Sequence, residues 1–234
     1  LGGATNSIFA ISNVQPLSAG NYAVVVRNSV GSVTSAAATL LVSTGLTSRL
    51  SNLSVRTTLA ANQTLTVGFT IQGGAKNLLV RAAGPSLGAL GVSGTMPDPK
   101  LALFNGVTPV ATNDNWSGDG TVATAIAAVG AFPFISTTSL DAALVRSVDG
   151  GRTVQISGPA DGNVIVEVYD AGTGLSPRLT NLSALNFVGT GSDLLIAGFT
   201  VSGAGTKNVL IRAAGPAGLI PDGGSRGKGC MIKT

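Results

Sequence analysis

Ten residues from Lys76, Lys-Asn-Leu-Leu-Val-Arg-Ala-Ala-Gly-Pro, return from Lys207 as Lys-Asn-Val-Leu-Ile-Arg-Ala-Ala-Gly-Pro. The match extends upstream, with Arg49-Leu50-Ser51-Asn52-Leu53-Ser54 answered by Arg178-Leu179-Thr180-Asn181-Leu182-Ser183, and Gly68-Phe69-Thr70-Ile71 by Gly198-Phe199-Thr200-Val201. A period of about 130 residues is the size of a domain, so the chain reads as a piece of a tandem array rather than as one large core. The likeness stops after Pro216, where Ser86-Leu87-Gly88 of the first copy gives way to Ala217-Gly218-Leu219 and then to a Gly-rich basic tail.

Only 10% of the residues are charged, and Gly, Ala, Ser and Thr dominate. Helical proteins rely more on Glu, Lys, Arg and Leu, which lose little rotamer freedom in a helix, so this composition predicts an all-β chain of antiparallel β-sandwich modules. Half of the net charge of +4 comes from the tail, where Arg226, Lys228 and Lys233 stand against Asp222. No stripe of Lys and Arg interleaved with aromatics is present, which excludes nucleic acid as an expected partner. The longest apolar run, residues 122–135, is too short to cross a bilayer and is broken by Gly130 and Pro133, so no membrane span is expected. The lone Cys230 offers no disulfide framework and reads as an exposed thiol in the tail. The absence of His removes the usual general base, the usual zinc ligand and every imidazole-dependent triad.

Four segments are expected: residues 1–43 as half of a module, 46–175 as a complete sandwich, 176–222 as the opening of a second copy, and 223–234 as an unrelated tail. In the first, strands are predicted around Phe9 and Ile11, around Tyr22, Val24 and Val26, and from Val33 to Val42. In the second, strands are predicted at residues 65–71, 77–81, 100–104, 142–145, 153–157 and 163–169, separated by Gly-Gly, Gly-Pro and Asn-Gly turn signals. One or two helical turns are expected at residues 121–129, after Gly118-Asp119-Gly120.

Residues 13–31, which include Gly20-Asn21-Tyr22-Ala23-Val24, resemble the E–F corner and F–G hairpin of an immunoglobulin-like domain. That resemblance implies that the Tyr22 hydroxyl ties back to the preceding turn, with Val24 in the position of the family's cysteine. Residues 78–87, 98–104, 113–116 and 166–170 resemble, in the same order, the hallmark segments of a repeat found in large secreted or surface-anchored bacterial proteins, where it follows immunoglobulin-like domains. The resemblance implies an extracellular or cell-surface location and neighbouring repeat modules as partners. It implies no activity.

Gly84-Pro85-Ser86-Leu87-Gly88 satisfies the G-x-S-x-G pattern of a nucleophile elbow. With no His to take the proton, and Ala217 replacing the Ser in the second copy, a strand-end turn is the expected role. The residue types best suited to a ligand are Asp98, Asn113, Asp114, Asn115 and Asp119, because calcium takes six to eight oxygens from carboxylates, amides and carbonyls. The same residues also suit simple turn capping. Trp116 beside them is expected to plug the core; exposed, it would suit stacking on a sugar.

These readings lead to a structural, adhesive or binding segment of a large extracellular repeat protein, with calcium as a possible stabiliser. The alternatives are a calcium-dependent hydrolase of small esters or lactones and a carbohydrate-binding module with a glycan partner. The two incomplete modules are expected to cover each other's apolar faces, within one chain or across a homodimer, by packing strands near Val24–Val26 and Val33–Leu40 against residues 194–201 and 209–212.

Overall fold

The computed structural model describes residues 4–42, 48–186 and 194–214, together with the backbone of residues 228–233. It divides into two compact units, residues 1–47 and 48–234. The expected side-chain state of Cys230 lies outside the described residues.

In the first unit, β1 (Gly20–Tyr22) pairs with β4 (Ala38–Leu40), and β2 (Val25–Arg27) pairs with β3 (Ser32–Thr34). The result is one interrupted hairpin. Its turn is set by Asn28, whose Oδ1 accepts from the N–H groups of Val30 and Gly31. A 3-10 turn at Pro16–Ser18 precedes β1, and the Tyr22 hydroxyl donates to Ser18 O at 2.6 Å, the bond that the corner reading requires. The strand expected around Phe9 and Ile11 does not form; residues 4–12 are irregular. Alternation fits a pleated surface, but a strand also needs a neighbour for its backbone groups.

The second unit is built on β5 (Arg49–Leu59), β6 (Leu65–Ala83), β7 (Lys100–Asn105), β8 (Thr108–Asn113), β9 (Ala142–Ser157) and β10 (Gly162–Asp170). All the pairings are antiparallel. The strands expected at 65–71 and 77–81 are one strand, as are those expected at 142–145 and 153–157. The Gly-Gly signal marks a bend rather than a turn: Gly73 and Gly74 take φ of +96° and +114°, and the ladder with β9 shifts register between Ile71 and Lys76. Because β6 pairs with β10 and β11 (Arg178–Asn186), and β5 pairs with the same two, the expected sandwich closes partly into a barrel.

The burial of β6 follows from this path. Its first half alternates, with Leu65, Val67, Phe69 and Ile71 buried in the main core, while residues 78–83 are buried without a break. Continuous burial means that both faces are covered. One face joins Leu53, Val55, Leu103, Val154 and Val166; the other is roofed by Trp116, Val122, Ile126 and Phe134. Val122 and Ile126 lie on α1 (Gly120–Val129), the helix expected here, capped by Asp119 at its start and by Gly130 in the left-handed conformation at its end.

The second copy does not begin a separate body. Its first strand, β11, pairs with the first half of β6, and its second, β12 (Ile196–Ser202), pairs with β5. Residues 196–202 thus take β5 as their strand partner. The exchange is reciprocal. Leu182 stands opposite Phe69 and Ser183 opposite Gly68, while Leu53 stands opposite Phe199 and Ser54 opposite Gly198, the same residue pairs with the copies traded. Even the irregularities match: β11 bulges at Thr180 and β5 at Ser51, and their hydroxyls donate to Thr70 O (3.2 Å) and Thr200 O (3.3 Å). The sheet continues through β14 (Lys228–Lys233), which pairs with β11 and with β13 (Leu210–Ala214).

Candidate functional site

The acid-rich loop connects β8 to α1 and places its residues in two different settings. Asn113, Asn115, Trp116, Ser117 and Asp119 line an open depression of about 480 Å³. Asp114 faces away into a second hollow beside Lys100, Thr64 and Gln155. Its carboxylate meets the Lys100 ammonium at 3.0 Å, both half exposed, and this hydrogen bond and charge hold the Lys100 pKa above its ordinary value, with Asp98 adding to the effect.

Each remaining member of the set has its own task. Asp119 Oδ1 accepts from Thr121 N (2.8 Å) and Val122 N (2.9 Å), so this carboxylate is spent on the helix start, where the dipole favours it. Asn113 Oδ1 accepts from Ala143 N and its amide donates to Asn115 O, which pins the loop to β9. Asp98 Oδ1 and Asn115 Oδ1 are buried without a hydrogen-bond partner among the described residues. No group of three or more acidic, His or Cys side chains is placed to hold one ion among the described residues. Trp116 is buried: its indole N–H donates to Ser136 O and its ring packs on Phe134 at 5.2 Å.

The chemistry that the sequence hid lies deeper, in three buried polar nodes. Ser86, of the elbow-like motif, sits in a 3-10 turn (Pro85–Leu90) and is 1% exposed. Its hydroxyl donates to Asp141 Oδ2 and accepts from Ile135 N–H. Asp141, fully buried, also accepts from Gly84 N, Ser86 N and the Ser139 hydroxyl. Four donors saturate this carboxylate, so it braces the turn. Gly84 is required here because a Cβ would stand 2.1 Å from Met96 O.

Arg81 forms the second node. It lies fully buried opposite Glu167 on β10, with Nε donating to Oε2 at 2.6 Å and Nη1 to Phe132 O at 2.7 Å. The guanidinium stacks on the Phe132 ring at 3.9 Å from its centroid, and the Tyr169 hydroxyl donates to Glu167 Oε1 at 2.7 Å. Burial, followed by the charge of Glu167, drives the Tyr169 phenol well above its ordinary pKa. In the third node, Asp170 Oδ2 accepts from Arg49 Nε (3.0 Å) and forms an ion pair with the buried Lys76 (3.1 Å), whose ammonium donates to the carbonyls of Thr173, Gly174 and Pro177. Lys76 thereby fastens the stretch that leads into the second copy.

One signal would have found Arg81 and Glu167. Each is a lone charge inside an otherwise apolar strand, in Leu-Leu-Val-Arg-Ala-Ala and Val-Ile-Val-Glu-Val-Tyr, and Arg81 returns as Arg212. Lone charges in runs buried on both faces must be paired. Comparison with protein-family models, with curated proteins and with solved structures finds no match for this chain. Among the described residues, no helix is long and apolar enough to cross a membrane.

Proposed function

We propose that this chain is a structural or adhesive segment of a large extracellular bacterial repeat protein, in which successive modules are joined by shared sheets. The observation that carries the reading is the reciprocal exchange of β5 and β11 between the two copies, with matched pairs and matched bulges. An array gains from such a joint, because each copy finishes its sheet only with its neighbour. The polar residues Lys76 and Arg81 of the repeated motif, and Ser86 just after it, support the same reading, since all three are spent on internal bonds. Assays of the purified chain against chromogenic esters and insoluble glycans test it. The structural reading expects neither turnover nor retention; turnover lost on Asp114→Ala would replace it with the hydrolase, and retention would replace it with the carbohydrate-binding module.

Calcium is a separable part of this proposal. Within the predicted donor set, Asp98 Oδ1 and Asn115 Oδ1 are buried oxygens with no hydrogen bond to lose to a cation. A chelator that lowers Tm would support the ion, by the mass-action stabilisation that any folded-state ligand supplies. An unchanged Tm would remove it.

A further inference from the structure

The tail strand β14 occupies a place that the repeat itself defines. In the first copy, β10 lies between β5 and the second half of β6, with Val168 opposite both Leu53 and Val80, and Glu167 opposite both Ser54 and Arg81. In the second copy, β14 lies between β11 and β13, with Ile232 opposite both Leu182 and Ile211, and Met231 opposite both Ser183 and Arg212. Leu182 repeats Leu53, Ile211 repeats Val80 and Arg212 repeats Arg81. Residue for residue, β14 therefore stands in the register of β10. Its sequence, Lys-Gly-Cys-Met-Ile-Lys, has no likeness to Gly-Asn-Val-Ile-Val-Glu-Val-Tyr-Asp.

Two flanking strands that impose one register on two unrelated sequences make a slot for a strand. Backbone ladders supply affinity in such a slot, and alternate side-chain positions supply selectivity. The tail lacks the acid that the first copy sets against its arginine, since Met231 holds the register position of Glu167. Leu210 and Ile211 remain 57% and 61% exposed beside it.

We propose that the groove between β11 and β13 is a binding site for an extended strand of the β10 type, with apolar residues at alternate positions and a carboxylate at the position facing Arg212. The occupant is such a strand from a second copy of the module, and β14 is its substitute. This deepens the repeat-protein reading and rests on it, but the two fail separately: ester turnover would sink that reading while leaving the slot, and failed strand capture would remove the slot alone.

The test uses the full chain and a fluorescent peptide of residues 162–170. Saturable binding is expected, and it should tighten at least tenfold on Cys230→Pro, because proline removes a ladder N–H from the competing tail. Replacing Glu167 by Gln in the peptide, or Arg212→Gln in the chain, should weaken binding about tenfold, as expected for loss of a charge-assisted pair. A second variant serves if Cys230→Pro misfolds: Met231→Glu should raise Tm and weaken peptide capture. Absence of binding to all forms, or equal binding of the Glu and Gln peptides, overturns the proposal, as does a Met231→Glu variant that changes neither Tm nor capture.

Discussion

The same motif occurs twice in this chain and meets opposite surroundings. In the first copy, Leu78, Leu79, Val80, Arg81, Ala82 and Ala83 are all buried; in the second, every residue of Leu210–Ala214 is exposed. The sequences of the two strands differ by single methylene-scale changes, so intrinsic preference is not what separates them. What differs is the cover. The first strand lies between β9 and β10 and is roofed by α1 and the Phe132–Phe134 loop, whereas the second has β14 on one edge. An arginine in such a strand is a core residue only when the closing strand brings its carboxylate.

The comparison is broken most directly at the two arginines. Arg81→Ala leaves Glu167 buried without its partner and should cost about 3–5 kcal/mol, while Arg212→Ala should stay within about 0.5 kcal/mol, as surface changes do. Urea unfolding of the two variants decides; equal costs would mean that the second copy is as closed as the first. A smaller effect sharpens the exchange itself. A Cβ on Gly68 would meet Ser183 Oγ at 2.8 Å, and one on Gly198 would meet Ser54 Oγ at 2.8 Å. Gly68→Ala and Gly198→Ala should therefore lower stability by similar amounts, about 1–2 kcal/mol each, and thermal melts giving very different values would end the symmetry. The smallest effect is a pH slope. Tyr169 keeps its proton in the folded state above the ordinary value of 10.0, where the unfolded chain releases it, so stability should be full below pH 10 and fall above it. Tyr169→Phe should flatten that fall in melts between pH 9 and 11; an unaltered slope would mean that the phenol is not held by burial and Glu167.

Much of the scaffold was legible from spacing. The helix at 120–129 and the strand at 163–169 follow from local signals, because capping and alternation are properties of neighbours in sequence; the Tyr22 bond was implied by the resemblance to an immunoglobulin-like corner. Continuity across Gly73-Gly74 was not legible, since glycine at positive φ serves a turn and a bend equally well. β8 was hidden because Thr108-Pro109-Val110-Ala111-Thr112-Asn113 is nearly all exposed and lacks alternation. The exchange between copies was invisible for a stronger reason: β5 and β11 carry the same pattern, and nothing local says which β6-type strand each will choose. At the site, the capping role of Asp119 was legible as turn chemistry. The Asp141 brace and the Arg81 node depend on partners more than fifty residues away and emerge only when the sheets are assembled.

The traded strands also bear on how such a protein is made. Ser51 and Thr200, joined across the β5–β12 ladder, are 149 residues apart. At ordinary synthesis rates that separation is roughly 7–30 s of elongation. Until β11 and β12 emerge, the nascent chain offers one edge of β6 and one edge of β5 unpaired, the condition under which neighbouring chains on a polysome pair with each other instead. The sheet of the first copy is thus completed only when the ribosome delivers strands of the second, and the pace of translation becomes a determinant of whether those ladders close within one chain.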